Sequence, residues 1–306
     1  MDRCDFLPVS AEEMHERGWW WYDALVVGGD AYVDHPSFGT AVISRVLEAE
    51  GLRVAVLAQP DWHDAEAFRA MGRPRLGVFI GAGNLDSMVA HYTAAKRRRS
   101  EDFYSPGKRT GCRPDRATIV YCNRAREAFG PDVPIILGSL EASLRRFAHY
   151  DYWDDSVRRA ILFDAPADLL VYGMGEAATI EIAHRLKKKQ SVHTMTDIPG
   201  TGYITRDPAE CKFDHITLPS YEDVRDDKRL YAEATRTEYA EHDPVRGRAM
   251  IQPCEGRYLV INPPAMPLDT KELDRVADLP YTREWHPMYE PLGGVPAIEE
   301  VRFSVI

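Results

Sequence analysis

Short, uninterrupted apolar runs, most of them closed by glycine, recur through the first half of the chain, with amphipathic stretches between them. Asp23-Ala24-Leu25-Val26-Val27-Gly28-Gly29 is the first, followed by Arg53 to Ala58, Leu76 to Gly81, Val133 to Gly138 and Ala167 to Gly173. Runs of this kind, without polar alternation, predict strands buried on both faces. Gly39 to Glu50 carries Val42, Ile43, Val46 and Leu47 at helical spacing and stops at Gly51. Further helices are predicted near Asp64 to Ala70, within Pro114 to Phe129, over Ala142 to Phe147 and from Glu176 to Lys189. Such β-α alternation predicts a parallel sheet, because helical crossovers join parallel neighbours and cover both faces. The expected fold is α/β, a doubly wound parallel sheet.

The pattern changes from Gln190 onward. Gly202 to Thr205, His215 to Leu218 and Arg257 to Ile261 read as strands, Tyr221 to His242 as one charged helix, and Asp269 to Ala277 as a short one. A proline-rich turn, Asn262 to Pro267, separates the last two. Two units are expected: a Rossmann-like domain over 1–189 and a smaller, irregular α+β unit over 190–306. Val301 to Ile306 reads as a strand with no stop signal, so the chain is expected to be a fragment of a longer one.

Composition narrows the function. With 306 residues, 44% hydrophobic and 28% charged, the chain is long enough for two globular units. Forty-eight acids against 38 bases give a net charge of -10, which argues against nucleic acid as a partner. No apolar stretch approaches the ~18 residues of a membrane span, and the N-terminus lacks a signal-peptide core, so no membrane partner and a cytoplasmic location are expected. Cys4, Cys112, Cys122, Cys211 and Cys254 are scattered without C-x-x-C grouping. Reduced thiols and no metal site are expected.

In a doubly wound sheet, ligands bind beyond the carboxyl ends of the strands, where strand order reverses. The loop after strand one supplies Asp30, Tyr32, Asp34, His35 and Ser37 just before a helix, although Asp34 or Ser37 would also serve as its cap. After strand three come Gly81, Gly83 and Asn84; this incomplete glycine pattern makes a nicotinamide dehydrogenase unexpected. The basic run from His91 to Arg99 reads as a solvated helix face. After strand four, Glu141, Arg145, Arg146, His149, Tyr150 and Trp153 suit a polar small molecule or a docked neighbouring domain. Gly173, Gly175 and Glu176 follow strand five, where Glu176 could equally be a helix-start residue. No nucleophile–base spacing is assembled, so catalytic residues stay unassigned.

Four strings together point to a family: Gly29 to Gly39, Ala82 to Val89, Ala148 to Asp155 and Asn262 to Pro267. They closely resemble the N-terminal region of the YgiQ-like radical SAM proteins. That resemblance implies an accessory domain of an enzyme of unknown substrate, partnered by its own missing C-terminal radical SAM barrel. In the family, the run from Pro296 to Ser304 leads into C-x-x-x-C-x-x-C, whose thiolates hold a 4Fe-4S cluster that binds S-adenosylmethionine. None of the five cysteines maps onto that motif, so no cofactor is expected in this fragment and the fragment alone is expected to be inactive. The N-terminal unit also resembles cobalamin-binding domains, which makes the expected sheet flavodoxin-like or cobalamin-binding-domain-like. Their cobalt-ligating signature is Asp-x-His-x-x-Gly; here Asp34 and His35 are adjacent, and Gly39 lies four residues after His35. This departure speaks against histidine-ligated cobalamin. The competing reading is a stand-alone flavodoxin-like module that binds a small, corrinoid-type molecule without redox catalysis.

Overall fold

The structure, a computed structural model, describes residues 5–302. Its strands, in chain order, are β1 (Ala24–Gly28), β2 (Val54–Ala58), β3 (Gly77–Ile80), β4 (Ile135–Leu137), β5 (His149–Asp151), β6 (Ser156–Arg158), β7 (Leu169–Val171), β8 (Thr201–Thr205), β9 (His215–Thr217), β10 (Ala249–Cys254) and β11 (Arg257–Ile261). The helices are α1 (Ala11–Glu16), α2 (Gly39–Ala49), α3 (Glu66–Arg69), α4 (Ser87–His91), α5 (Ala117–Phe129), α6 (Ser139–Leu144), α7 (Ile161–Asp164), α8 (Glu176–Lys187), α9 (Tyr221–Asp226), α10 (Lys228–Ala240), α11 (Thr270–Ala277) and α12 (Ile298–Val301).

Nine of these strands form one sheet in the order β2-β1-β3-β4-β7-β8-β11-β10-β9. The first five are mutually parallel. Strand order reverses between β1 and β3, so a topological switch point lies at their carboxyl ends. Side chains alternate between two buried faces. Ala24, Val26, Val54, Val56, Phe79 and Ile136 pack with α2 and α8, whereas Leu25, Val27, Ala55, Val78, Ile80 and Ile135 pack with Phe68 of α3 and Tyr121 of α5. A strand with period-two side chains and apolar partners on both sides must be apolar throughout, which is why these runs lack alternation.

Residues beyond 190 continue the same sheet instead of forming a layer of their own. β8 pairs antiparallel with β7, with Leu170 opposite Gly202, and β11 pairs antiparallel with β8. β10 and β11 form a hairpin closed by Glu255 and Gly256, both at positive φ. That backbone suits the right-handed twist of the flanking strands. β9 completes the edge, parallel to β10.

Several elements differ from expectation. Tyr221 to His242 is two helices, because Asp227 is extended and its side chain caps α10 by accepting from the Arg229 amide. β10 is a further strand that the expected pattern does not include; its Pro253 lies beyond the end of β9, which leaves its missing N–H without cost. His91 to Arg99 is not a helix face: only His91 is helical, and Tyr92 bridges Arg98 in a tight hairpin. The stretch from His149 holds the small β5-β6 hairpin. The strand expected from Val301 starts as the last residue of α12, and Phe303 to Ile306 lie outside the described residues, as does Cys4.

Candidate functional site

A cavity of about 320 Å³ opens at the carboxyl ends of β1, β3, β4 and β7. Its floor is the face of the sheet that carries Val26, Phe79, Ile136 and Val171, and its sides are Val42 and Ile43 of α2 and Thr179 of α8. The mouth is ringed by Gly39, Gly81, Gly83, Gly138, Gly173 and Gly175 and by the hydroxyls of Ser37, Thr40 and Ser139. The result is an apolar slot beneath a polar, glycine-rich lip, the usual composition of a small-molecule site. α2, α6 and α8 all begin at this lip, and none has a side-chain N-cap. Ser37 therefore does not cap α2; the N-cap position is Phe38. Ser139 sits at φ 69°, a left-handed conformation that costs a serine energy and turns the chain sharply from β4 into α6.

The sequence-derived candidates divide between this cavity and the structure that holds it. Ser37, Gly81, Gly83, Gly173, Gly175 and Glu176 line it. Asn84 braces its wall: its side-chain carbonyl accepts from the Gly39 amide at 3.2 Å, and its NH₂ donates to the Ser37 carbonyl at 2.9 Å. Asp30, Tyr32, Asp34 and His35 are buried and do not line it. Asp30 is paired with the buried Arg113 at 2.6 Å and accepts from the Asn84 amide; burial pushes its carboxyl up while Arg113 pulls it down. Asp34 is held by Arg45, with Nε donating at 3.1 Å, and by the Thr282 amide at 3.0 Å. His35 accepts from the Ser37 amide through Nδ1 at 3.1 Å. Burial and the nearby Arg283 lower its pKa, which keeps the ring neutral. The Tyr32 amide donates to the Tyr289 hydroxyl at 3.0 Å. Two glycines serve this loop packing. A Cβ on Gly29 would lie 2.1 Å from the Ala82 carbonyl, and one on Gly83 2.3 Å from the Asp30 carboxylate.

The candidates after β4 are scattered. Glu141 is fully buried and accepts from the Ser87 amide (2.9 Å), the Ser87 hydroxyl (2.6 Å) and the Thr118 amide (3.0 Å), so it pins α4, α5 and α6 together. Arg145 pairs with Asp86, the side-chain cap of α4. Arg146 lies over Tyr172, donates to the Ser143 carbonyl at 2.7 Å and meets His242. His149 and Tyr150 belong to β5, where burial lowers the His149 pKa and Tyr150 bonds Asp155. Trp153 packs against Tyr92 with centroids 4.2 Å apart and the rings tilted by 36°. None of these lines the cavity.

Sequence reasoning missed Arg45 and Arg113, which neutralise the buried acids, and Thr40, Ser139 and Thr179, which supply hydroxyls to the slot. A signal existed for the arginines: an apolar loop holding two acids needs cationic partners. Which arginines those are depends on contacts between segments far apart in sequence.

A family model described as Radical SAM N-terminal matches residues 6–304. The chain belongs to that radical SAM N-terminal family. UPF0313 proteins of Clostridium botulinum (strain 657 / Type Ba4) and Clostridium perfringens (strain SM101 / Type A) are each 53% identical to it, over 305 and 306 residues. All of this chain is covered in both cases, but only 47% and 46% of the relatives, so the chain spans about half the length of the curated relatives it matches. Among solved structures, the radical S-adenosylmethionine methyltransferase TsrM from Kitasatospora setae, with tryptophan substrate and SAM analog bound, aligns with 59% of this chain and 28% of its own, at a TM-score of 0.37 and 21% identity.

Among the described residues, the thiols of this radical SAM N-terminal domain are not arranged for an iron-sulfur cluster. Cys122 is buried in α5, where burial pushes its thiol pKa well up, and the Cys254 thiol of β10 is pushed up to about 12. Among the described residues, no group of three His, Cys, Asp or Glu side chains is placed to hold a metal ion. No helix of the described residues is long and apolar enough to cross a membrane.

Proposed function

We propose that the chain is the ligand-holding N-terminal domain of a radical SAM, 4Fe-4S cluster-dependent enzyme, and that the cavity at the β1/β3 switch point takes a small molecule with a flat heterocyclic end. The slot itself carries this reading: it is apolar where a ring would insert and rich in hydroxyls and bare backbone where a polar body would rest. The strand order β2-β1-β3-β4-β7 supports a flavodoxin-like, cobalamin-binding-domain-like assignment. A corrinoid with its nucleotide tail in the slot is the ligand we favour. Val26, Val42, Phe79 and Ile136 would hold the tail, and His35, locked behind the loop, takes no part in ligating cobalt.

The partner is the remainder of the full-length protein, which would supply the cluster and S-adenosylmethionine. Val89, Leu140, Leu144 and Met174 support its docking over the cavity: all are exposed apolar residues on segments that follow β3, β4 and β7. We place the protein in the cytoplasm. Titration of the chain with hydroxocobalamin, followed by absorbance and calorimetry, tests the ligand. Saturable one-to-one binding that Val42→Trp abolishes is expected; absence of binding to the wild-type chain would overturn the corrinoid assignment. Anaerobic assay of the full-length protein for deoxyadenosine tests the enzyme, and a cluster-free protein unable to cleave S-adenosylmethionine would leave the stand-alone binding module.

A further inference from the structure

Glu176 opens α8 at the cavity lip, and its Oε2 is buried without a hydrogen-bond partner. No basic side chain lies within 4 Å of its carboxylate among the described residues. A carboxylate is acceptor-only, and leaving one oxygen unpaired out of water costs free energy that a structural residue would avoid. Most other carboxylates around the cavity do avoid it: Asp30, Asp34, Asp86 and Glu141 are each held by arginines or amides. The Ser139 hydroxyl, which lines the same cavity, accepts from the Ala82 amide at 3.1 Å, which leaves its own proton to donate. The Tyr281 hydroxyl is also buried and unpartnered, and burial, then the charges of Asp34 and Glu176, hold its pKa up.

We infer that Glu176 is the specificity-determining acceptor of the cavity, and that the ligand presents an N–H or O–H donor to it: a carboxamide, an amine or a sugar hydroxyl, never a bare phosphate or carboxylate. This rests on the cavity being a ligand site. With Ser139 donating from the lining of the same cavity, a primary carboxamide suits both groups, NH₂ toward Glu176 and carbonyl toward Ser139.

The sign of the effect separates the alternatives. A charge-assisted bond of about 1.5–3 kcal/mol corresponds to a roughly 10- to 150-fold loss of affinity for hydroxocobalamin in Glu176→Ala, with a smaller loss in Glu176→Gln, which keeps an acceptor. Unchanged or tighter binding in both variants would overturn the inference, since removing the negative charge favours an anionic ligand group. The empty protein gives a second readout that needs no ligand. Relief of the unpaired carboxylate should raise the melting temperature of Glu176→Gln above wild type while Tyr281→Phe has little effect. If both variants instead melt lower, Glu176 is merely bonded to Tyr281 and the inference fails. If the wild-type chain binds no hydroxocobalamin yet Glu176→Gln melts higher, the corrinoid assignment falls and the unpaired acceptor stands.

Discussion

At the level of single residues, buried acids have opposite tasks according to their partners. Glu141 has three donors and no route to the cavity, so it is a structural pin. Replacing it by alanine leaves two amides and a hydroxyl buried without an acceptor. A loss of about 3 kcal/mol or more in denaturant unfolding is expected, against little change for exposed Glu233. Glu238 is the opposite case. It lies partly buried near Arg146, and desolvation pushes its carboxyl up from 4.5 to about 7. The folded state thus holds a proton that the unfolded chain has released between roughly those values, so this group makes stability fall as pH rises from about 4.5 to 7. Glu238→Gln should flatten that part of the stability–pH curve; an unaltered slope would show that Glu238 stays ionised.

Elements are joined through the loops at the carboxyl edge. Arg113 lies on the long connection between α4 and α5, yet it binds Asp30 after β1 at 2.6 Å and Asp102 at 2.7 Å, and all three are buried. Removing the cation would strand two carboxylates in a dry interior. Arg113→Ala is therefore expected to cost about 3–5 kcal/mol, more than loss of any exposed pair. Asn84 is a gentler brace. Asn84→Ala should release the α2 start from the β3 loop and weaken ligand binding while moving the denaturation midpoint little; a large stability loss with unchanged affinity would contradict this.

For the whole molecule, the continuous sheet implies joint stability. β8 covers the edge of β7, and Tyr172 donates to the Asn262 carbonyl at 2.6 Å across the junction. Expressed separately, residues 5–189 would leave an apolar strand edge open, and residues 190–302 would lose the partner of β8. Neither piece should show a cooperative melt alone, whereas the intact chain should melt in one transition.

What the sequence determined by itself was local and repetitive. Buried strands at β1 to β4 and β7 were legible because an apolar run with no alternation has few other uses in a globular chain. The α/β class followed from their spacing, and the family from long strings that few unrelated chains would share. The position of the cavity was also legible, since parallel strands must deliver their following loops to one edge. Tertiary structure alone decided the rest. Asp34 and Glu176 look alike in sequence, as acids near a glycine turn, but Arg45 from α2 and the Thr282 amide from the far end of the chain silence the first. Among the described residues, no such partner reaches the second. Short-range pattern can state that a loop is polar, and only long-range packing decides which of its charges are consumed in holding the fold and which stay free to meet a ligand.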